Sequence, residues 1–274
     1  MAALDPDELK DDMRKKLLIT GASGIVGTGL RPFLRPHYDL LLFSRSPAAE
    51  ARAGETVLTG DMACAADVQA AVAQVDAVLH LAAVHGLTIS FEETLDVNYR
   101  GLTYLMEACV AKGLRDVVFA SSNHGWGFHP ISAAPLAETA PPRPDGWYGI
   151  NKIWGEAVMA YYADAHGMRT TSLRIGNTAE TVMDDRRLHM WISFADLAGV
   201  TLKALERQEA GHRAIYSTAD CPEPYFDNHG MGDLGHAPQD RPEDNLPEGF
   251  DPTPGPSKLI GGEFAEANIK RRGG

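Results

Sequence analysis

Tyr148 and Lys152 stand four residues apart in the stretch PDGWYGINK, residues 144–152. A Pro-Asp-Gly turn followed by helix-compatible residues puts both side chains on one helical face, about one turn apart. A tyrosine with an ordinary pKa is a poor base at neutral pH. An ammonium one turn away, together with a bound cation, favours the phenolate and brings that pKa towards working range. Such a pair would take a proton from a hydroxyl group. Ser122 lies 26 residues earlier, at the end of the apolar run in DVVFASSNHGWGFHP, and can orient that hydroxyl. A tyrosine-lysine pair at this spacing is common, so its meaning depends on the site the rest of the chain builds.

The stretch TGASGIVG supplies that context. Gly21, Gly24 and Gly27 follow an apolar run and open a helix, where glycines allow a tight turn and a close approach to a pyrophosphate drawn by the helix N-terminus. The turn offers Gly21, Ser23, Gly24, Ile25, Val26 and Gly27 as dinucleotide contacts. In such sites an acidic residue at the end of the second strand usually grips the ribose 2′-hydroxyl of NAD. Here FSRSP places Ser44 and Arg45 at that point instead. A hydroxyl and a guanidinium can bind a 2′-phosphate, which a carboxylate would repel. The expected cofactor is therefore NADP in preference to NAD, the alternative being a solvated arginine with NAD still favoured. Asp61 and Met62 are placed to meet the adenine, with a plain turn aspartate as the competing reading. Leu81, Ala82 and Ala83 pass the phosphates, and Ile175, Tyr148 and Lys152 belong at the nicotinamide end, Lys152 bonding the ribose.

These groups need a frame, and strand and helix alternate over the first two thirds of the chain. Apolar runs at 15–20, 39–44, 55–61, 76–83, 116–122 and 168–176 predict strands. Helical periodicity predicts helices from the glycine turn to about residue 36 and near 67–74, 92–112 and 147–166. Val/Leu/Ile-rich strands joined by helices imply a doubly wound α/β fold with a parallel, Rossmann-type sheet covered on both faces. The dinucleotide-binding core is expected over 14–176, after an N-terminal tail at 1–13. Residues 177–270 are expected to form a small, loop-rich, substrate-binding cap with some further core elements, a helix at 193–208 and a strand at 212–218. Eight of the seventeen prolines fall in 221–256, which excludes long regular elements there.

Length and composition suit a soluble globular protein with a sizeable core. The net charge of −12 argues against nucleic acid or an anionic membrane as partner, and means that an anionic ligand must be held by a local cluster of donors. Cys64, Cys109 and Cys221 form no C-x-x-C pair, as expected in a reducing cytosol. The charged N-terminus lacks the apolar core of a secretory signal, and no run reaches membrane-spanning length. A cytoplasmic location is the expectation. His124 and His129 find no further ligands nearby, so no metal site is expected. The tryptophans lack an accompanying basic stripe and read as packing residues.

Together, the G-x-x-G-x-x-G turn, the serine after the fifth strand and the Y-x-x-x-K pair resemble the extended short-chain dehydrogenase/reductase family over nearly the whole chain. That family includes dehydrogenases, epimerases, dehydratases and reductases. The segments FASSNH, PDGWYGINK, RIGN, DDRRLHMW, YFDNHGMGDLGHAP and IGGEF are similar to those of uronate dehydrogenases, which oxidise C1 of glucuronate or galacturonate to an aldarolactone. The resemblance implies that Ser122, Asn123, His124, His85 and Asn177 line the sugar site with Tyr148. It implies that Arg186 pairs with the substrate carboxylate and that Phe264 closes over the ring. Asn98 falls on an asparagine that the family keeps near the catalytic tyrosine, with a structural or proton-relay role, and joins Ser122, Tyr148 and Lys152 as a catalytic and cofactor-site candidate. A homodimer through the helices at 92–112 and 147–166 is implied as well.

Three positions depart from the uronate dehydrogenase pattern: Asn177 and His85 replace serines, and Ser44–Arg45 replaces the NAD-specifying acid. For Arg186, a guanidinium fork matches a carboxylate bidentately, while DDRR read as a self-paired charge run is the alternative. Rival functions are a nucleotide-sugar epimerase or dehydratase, for which the residues after Gly176 leave little room, and a non-catalytic NADP-sensing regulator, which would be expected to lack the Tyr/Lys pair.

Overall fold

A computed structural model describes residues 14–45, 51–86 and 88–270; the tail expected at 1–13 lies outside them. In chain order the strands are β1 (Lys16–Thr20), β2 (Asp39–Ser44), β3 (Glu55–Thr59), β4 (Ala77–His80), β5 (Asp116–Ser122), β6 (Arg169–Ile175), β7 (Asn177–Thr178), β8 (Trp191–Ile192) and β9 (Gly211–Ser217). Seven of them form one sheet in the order β3-β2-β1-β4-β5-β6-β9, parallel throughout. The order reverses between β1 and β4, the switch point at which ligands bind outside the carboxyl ends of such sheets. The short β7 and β8 pair separately.

The helices are α1 (Ile25–Leu34), α2 (Ala65–Val72), α3 (Phe91–Thr94), α4 (Gly101–Lys112), α5 (Trp147–His166), α6 (Asp185–Leu188), α7 (Phe194–Leu205), α8 (His229–Asp233) and α9 (Glu263–Lys270). A capping box between Ser90 and Glu93 starts α3, and a π-helical stretch, Leu95–Arg100, joins α3 to α4. Side chains alternate across the sheet with period two. Leu17, Ile19, Leu40, Leu42 and Leu79 pack in one layer with α1 and α7, while Leu18, Leu41, Phe43, Val78 and Phe119 pack in the other with α2, α4 and α5. The chain beyond Gly176 thus returns to the main layers: α7 packs with α1, and β9 extends the sheet beside β6. No helix among the described residues is long and apolar enough to cross a membrane.

The registration of α5 matters most, because it carries Tyr148 and Lys152. Gly155 lets the helix lie close to β5; a Cβ there would come within 2.5 Å of the Phe119 ring. One turn beyond Lys152, the buried Glu156 takes a bidentate pair of bonds from Arg174 on β6, at 3.0 and 2.8 Å, and a 2.5 Å bond from Ser121 on β5. Arg174 also donates to the Glu138 carbonyl at 2.7 Å and lies 3.9 Å from the Trp126 ring centroid. The fixed fork of the guanidinium pins α5 to both strands in one register. Arg174→Met strands the Glu156 charge in the interior, and a loss of about 3–5 kcal/mol is expected in denaturant unfolding. Replacing both partners with methionine should cost less than the single change; a single-variant loss below about 1 kcal/mol would show that the pair does not clamp the helix.

Candidate functional site

A cleft of about 530 Å³ runs across the carboxyl ends of the strands, from the glycine turn to α9. Its walls include Gly21, Ser23, Gly24, Ile25, Val26 and Gly27 from the first turn, Ser44, Arg45, Asp61 and Met62 from the ends of β2 and β3, and Leu81, Ala82 and Ala83 after β4. At the other end they include Ser122, Asn123, His124, Tyr148, Lys152, Ile175, Asn177, His85 and Phe264.

The cradle at the first end depends on Gly21. Its φ of +68° is left-handed, and a Cβ would sit 2.8 Å from the backbone of Ala82. Thr20 fixes the facing segment, its Oγ1 accepting from the N–H groups of Leu81 and Ala82 at 3.2 Å each and meeting His80 Nδ1 at 2.7 Å. Burial, with Lys152 second, holds His80 down to about 3, so it is neutral at working pH. The N-cap of α1 is Gly24, whose lack of a side-chain cap leaves first-turn N–H groups for an anion. Turn, helix end and cleft size fit a dinucleotide. Asp61 is partly committed, since its Oδ1 accepts from Ala63 N at 2.9 Å.

At the other end, the Ser122 hydroxyl bonds the Tyr148 phenol and accepts from His124 N at 3.3 Å. Lys152 is 2% exposed, and no hydrogen bond or ion pair to it occurs among the described residues. Its Nζ lies over the rings of Phe119 and Tyr148, 4.8 and 5.3 Å from their centroids. The lowering expected of the phenol belongs to the site with a bound cation; the chain's own residues act in the other direction. Burial pushes Tyr148 up to about 12, the Ser122 bond offsets part of this, and the Asp145 charge adds to it. Burial also pulls Lys152 down to about 7. Helical spacing brings the lysine beside the tyrosine ring, but removal from water outweighs that proximity.

Asn98 does not line the cleft. Buried in the π-helical stretch, its amide donates to the Val84 carbonyl at 2.8 Å and accepts from Val84 N at 2.7 Å, so it holds the wall segment after β4. Asn123 ties β5 to β6 by donating to the Gly176 carbonyl at 2.5 Å. Its Oδ1 accepts from Arg186 Nη2 at 3.3 Å, which brings Arg186 up behind the cleft wall, and Arg186 Nε donates to the Ile260 carbonyl at 2.7 Å. Within DDRR, Arg187 pairs with Asp184, and Asp185 lies 3.7 Å from His189. Of the two arginines, Arg186 is the one with no carboxylate ion pair among the described residues. Burial, reinforced by Arg187, lowers it to about 10, still cationic at neutral pH.

His85 is exposed at the lip, edge-on to Tyr148 with centroids 6.0 Å apart. Phe264, in the first turn of α9, packs on His124 at 4.2 Å. Asn177 Oδ1 and Thr178 Oγ1 are buried without hydrogen-bond partners among the described residues. Sequence reasoning passed over Thr178, the Thr20–His80 support and Asp145, the 1% exposed carboxylate that meets His124 Nδ1 at 2.7 Å. Asp145 lies inside PDGWYGINK and reads there only as a turn former; its place three residues before Tyr148 is the one available signal.

The model of the NAD dependent epimerase/dehydratase family matches residues 17–180. A uronate dehydrogenase of Pseudomonas syringae pv. tomato is 36% identical over 230 residues, which are 83% of this chain and 83% of that protein. Among solved structures, uronate dehydrogenase from Agrobacterium tumefaciens superposes with a TM-score of 0.84 at 33% identity, covering 92% of this chain and 97% of that one. A mutant of that enzyme complexed with NAD gives 0.83 at 32% identity over the same 92% and 97%. With a family match across more than half its length and relatives a third identical over most of it, the chain belongs to the NAD dependent epimerase/dehydratase family, among the extended short-chain dehydrogenases/reductases.

Proposed function

We propose that this chain oxidises the C1 hydroxyl of a free hexuronate to a lactone, with NADP preferred over NAD. The observation that carries the substrate class is Arg186: a partly buried guanidinium with no ion pair to a carboxylate among the described residues, held behind the cleft wall by its bond to Asn123, which does line the cleft. Such a fork is suited to a carboxylate brought by the ligand. The names of the uronate dehydrogenase relatives agree with it.

In this reading the first-turn glycines, Ser44, Arg45, Asp61 and Met62 hold the dinucleotide, and Lys152 bonds its nicotinamide ribose. When bound, the oxidised nicotinamide supplies a positive ring that favours the phenolate and accepts the C1 hydride. Ser122 orients the C1 hydroxyl and Tyr148 takes its proton; with the C1 hydride passing to the nicotinamide, the pyranose ring, already closed through its ring oxygen, becomes the lactone. Arg186 anchors the carboxylate, while His85, Asn123, His124, Asn177 and Phe264 shape the sugar pocket. Asn98 serves by holding Val84. The NADP preference is supported by Arg45, exposed at the end of β2 where a carboxylate would select NAD.

Glucuronate, galacturonate and neutral aldoses, each tested with NADP and NAD by absorbance of the reduced cofactor, examine the whole reading. Turnover of at least one uronate is expected, with a higher kcat/KM for NADP; no uronate turnover would overturn the substrate, and a clear NAD preference the cofactor. Arg186→Ala is expected to raise KM for uronates roughly 10- to 100-fold and to change neutral sugars far less; equal effects on both would remove the carboxylate role.

The buried lysine has a consequence for stability. Its folded pKa of about 7 lies below the ordinary 10.5, so between these values the unfolded chain holds a proton that the folded chain lacks. Stability therefore rises with pH across that window, and the penalty for burying the cation is complete only below it. Lys152→Met, which carries no such penalty, is expected to raise Tm more at pH 6 than at pH 9. Equal offsets at the two pH values would contradict the lowered pKa.

A further inference from the structure

We infer that Asp145 is a positioning residue that fixes the tautomer of His124, presenting Nε2 to the cleft as a hydrogen-bond acceptor for a substrate hydroxyl. The hydroxyl part rests on the function proposed above. His124 Nδ1 lies 2.7 Å from Asp145 Oδ2. The carboxylate is 1% exposed and lies between the 124–127 stretch and Gly261. Its own backbone N–H donates to the His124 carbonyl at 3.2 Å, and Gly261 N donates to the Gly127 carbonyl at 2.8 Å across it. A Cβ on either of those glycines would overlap Oδ2, so both positions are kept clear for the carboxylate.

An ionised carboxylate can only accept. With Asp145 ionised, Nδ1 must carry the proton, and a neutral His124 is left with a bare Nε2, the reverse of the form that predominates in free histidine. The imidazole is also held from its other sides, with Phe264 tilted against it at 4.2 Å and Tyr148 edge-on at 5.9 Å. Because Nδ1 is anchored in the interior and His124 lines the cleft, the ring edge bearing Nε2 is what a ligand meets. Ser122 and Tyr148 engage the reacting hydroxyl and Arg186 the carboxylate. An acceptor beside them suits a neighbouring sugar hydroxyl.

The test is ¹⁵N NMR of the histidine rings in the full chain at pH 8, with His124→Gln to assign the resonance. Wild type is expected to show a protonated Nδ1 and a bare Nε2. Asp145→Asn, whose amide can donate to Nδ1, is expected to reverse this and to raise KM for a uronate about tenfold or more. It should leave cofactor Kd within about twofold and kcat not lowered, since the change also removes negative charge beside Tyr148. A wild-type ring protonated on Nε2 would overturn the inference even if the variant failed to fold. So would a reversed tautomer with KM unchanged. The spectrum uses no substrate, so a wild-type chain that turned over no uronate would count against the proposed function alone.

Discussion

Everything at the reacting end of the cleft depends on how α5 is held against the sheet. The Glu156–Arg174–Ser121 bonds fix the helix one turn past Lys152, and Gly155 lets it lie against Phe119. This places an amine and a phenol where water is largely excluded. That exclusion shifts both towards their neutral forms, the phenol held high and the amine drawn down to about 7. Both shifts run towards the uncharged form, because charge is what burial disfavours. In the proposed function, positive charge brought into the cleft by the cofactor would favour the phenolate, so the ligand would help to create the base.

The same logic of local charge bears on the proposed acidic substrate of a chain with net charge −12. The long-range field is unfavourable, so recognition falls to short-range donors. In that reading Arg186 is the candidate donor: its neighbour Arg187 pairs with Asp184, while Arg186 bonds only the Ile260 carbonyl and the Asn123 amide oxygen among the described residues. At the other end, the uncapped N-terminus of α1 offers backbone N–H groups that carry no counter-ion of their own. Asp145 works in the opposite sense: its charge raises the phenol while organising His124, a cost at one group accepted for order at another.

Much of this was legible in the sequence. Most strands of the main sheet announce themselves as apolar runs; β2 and β5 fall on the expected residues, β1, β3, β4, β6 and β9 differ by one to three residues at an end, and the two-residue β7 and β8 were not expected. The glycine spacing marks the cradle because only Gly21 can take its backbone angle so close to Ala82. What was not legible is tertiary. That β9 pairs with β6 is a long-range choice which local periodicity does not carry. The π-helical turn that carries Asn98, and the commitment of its amide to Val84, depend on a loop fourteen residues away. The upward push that the chain's own residues give Tyr148 was not legible for the same reason: spacing reports who is near, whereas burial reports how much water is left. Asp145 went unnoticed because its partners come from distant segments.

The most direct measurement of the central claim replaces the phenol alone. Tyr148→Phe keeps the ring that packs beside His124, His85 and Lys152 and removes only the hydroxyl. Turnover of the best uronate and cofactor affinity by titration should be measured on the same preparation. The account predicts a fall in kcat/KM on the order of 10²–10⁴-fold with cofactor Kd essentially unchanged. Undiminished turnover with the cofactor still bound would contradict it.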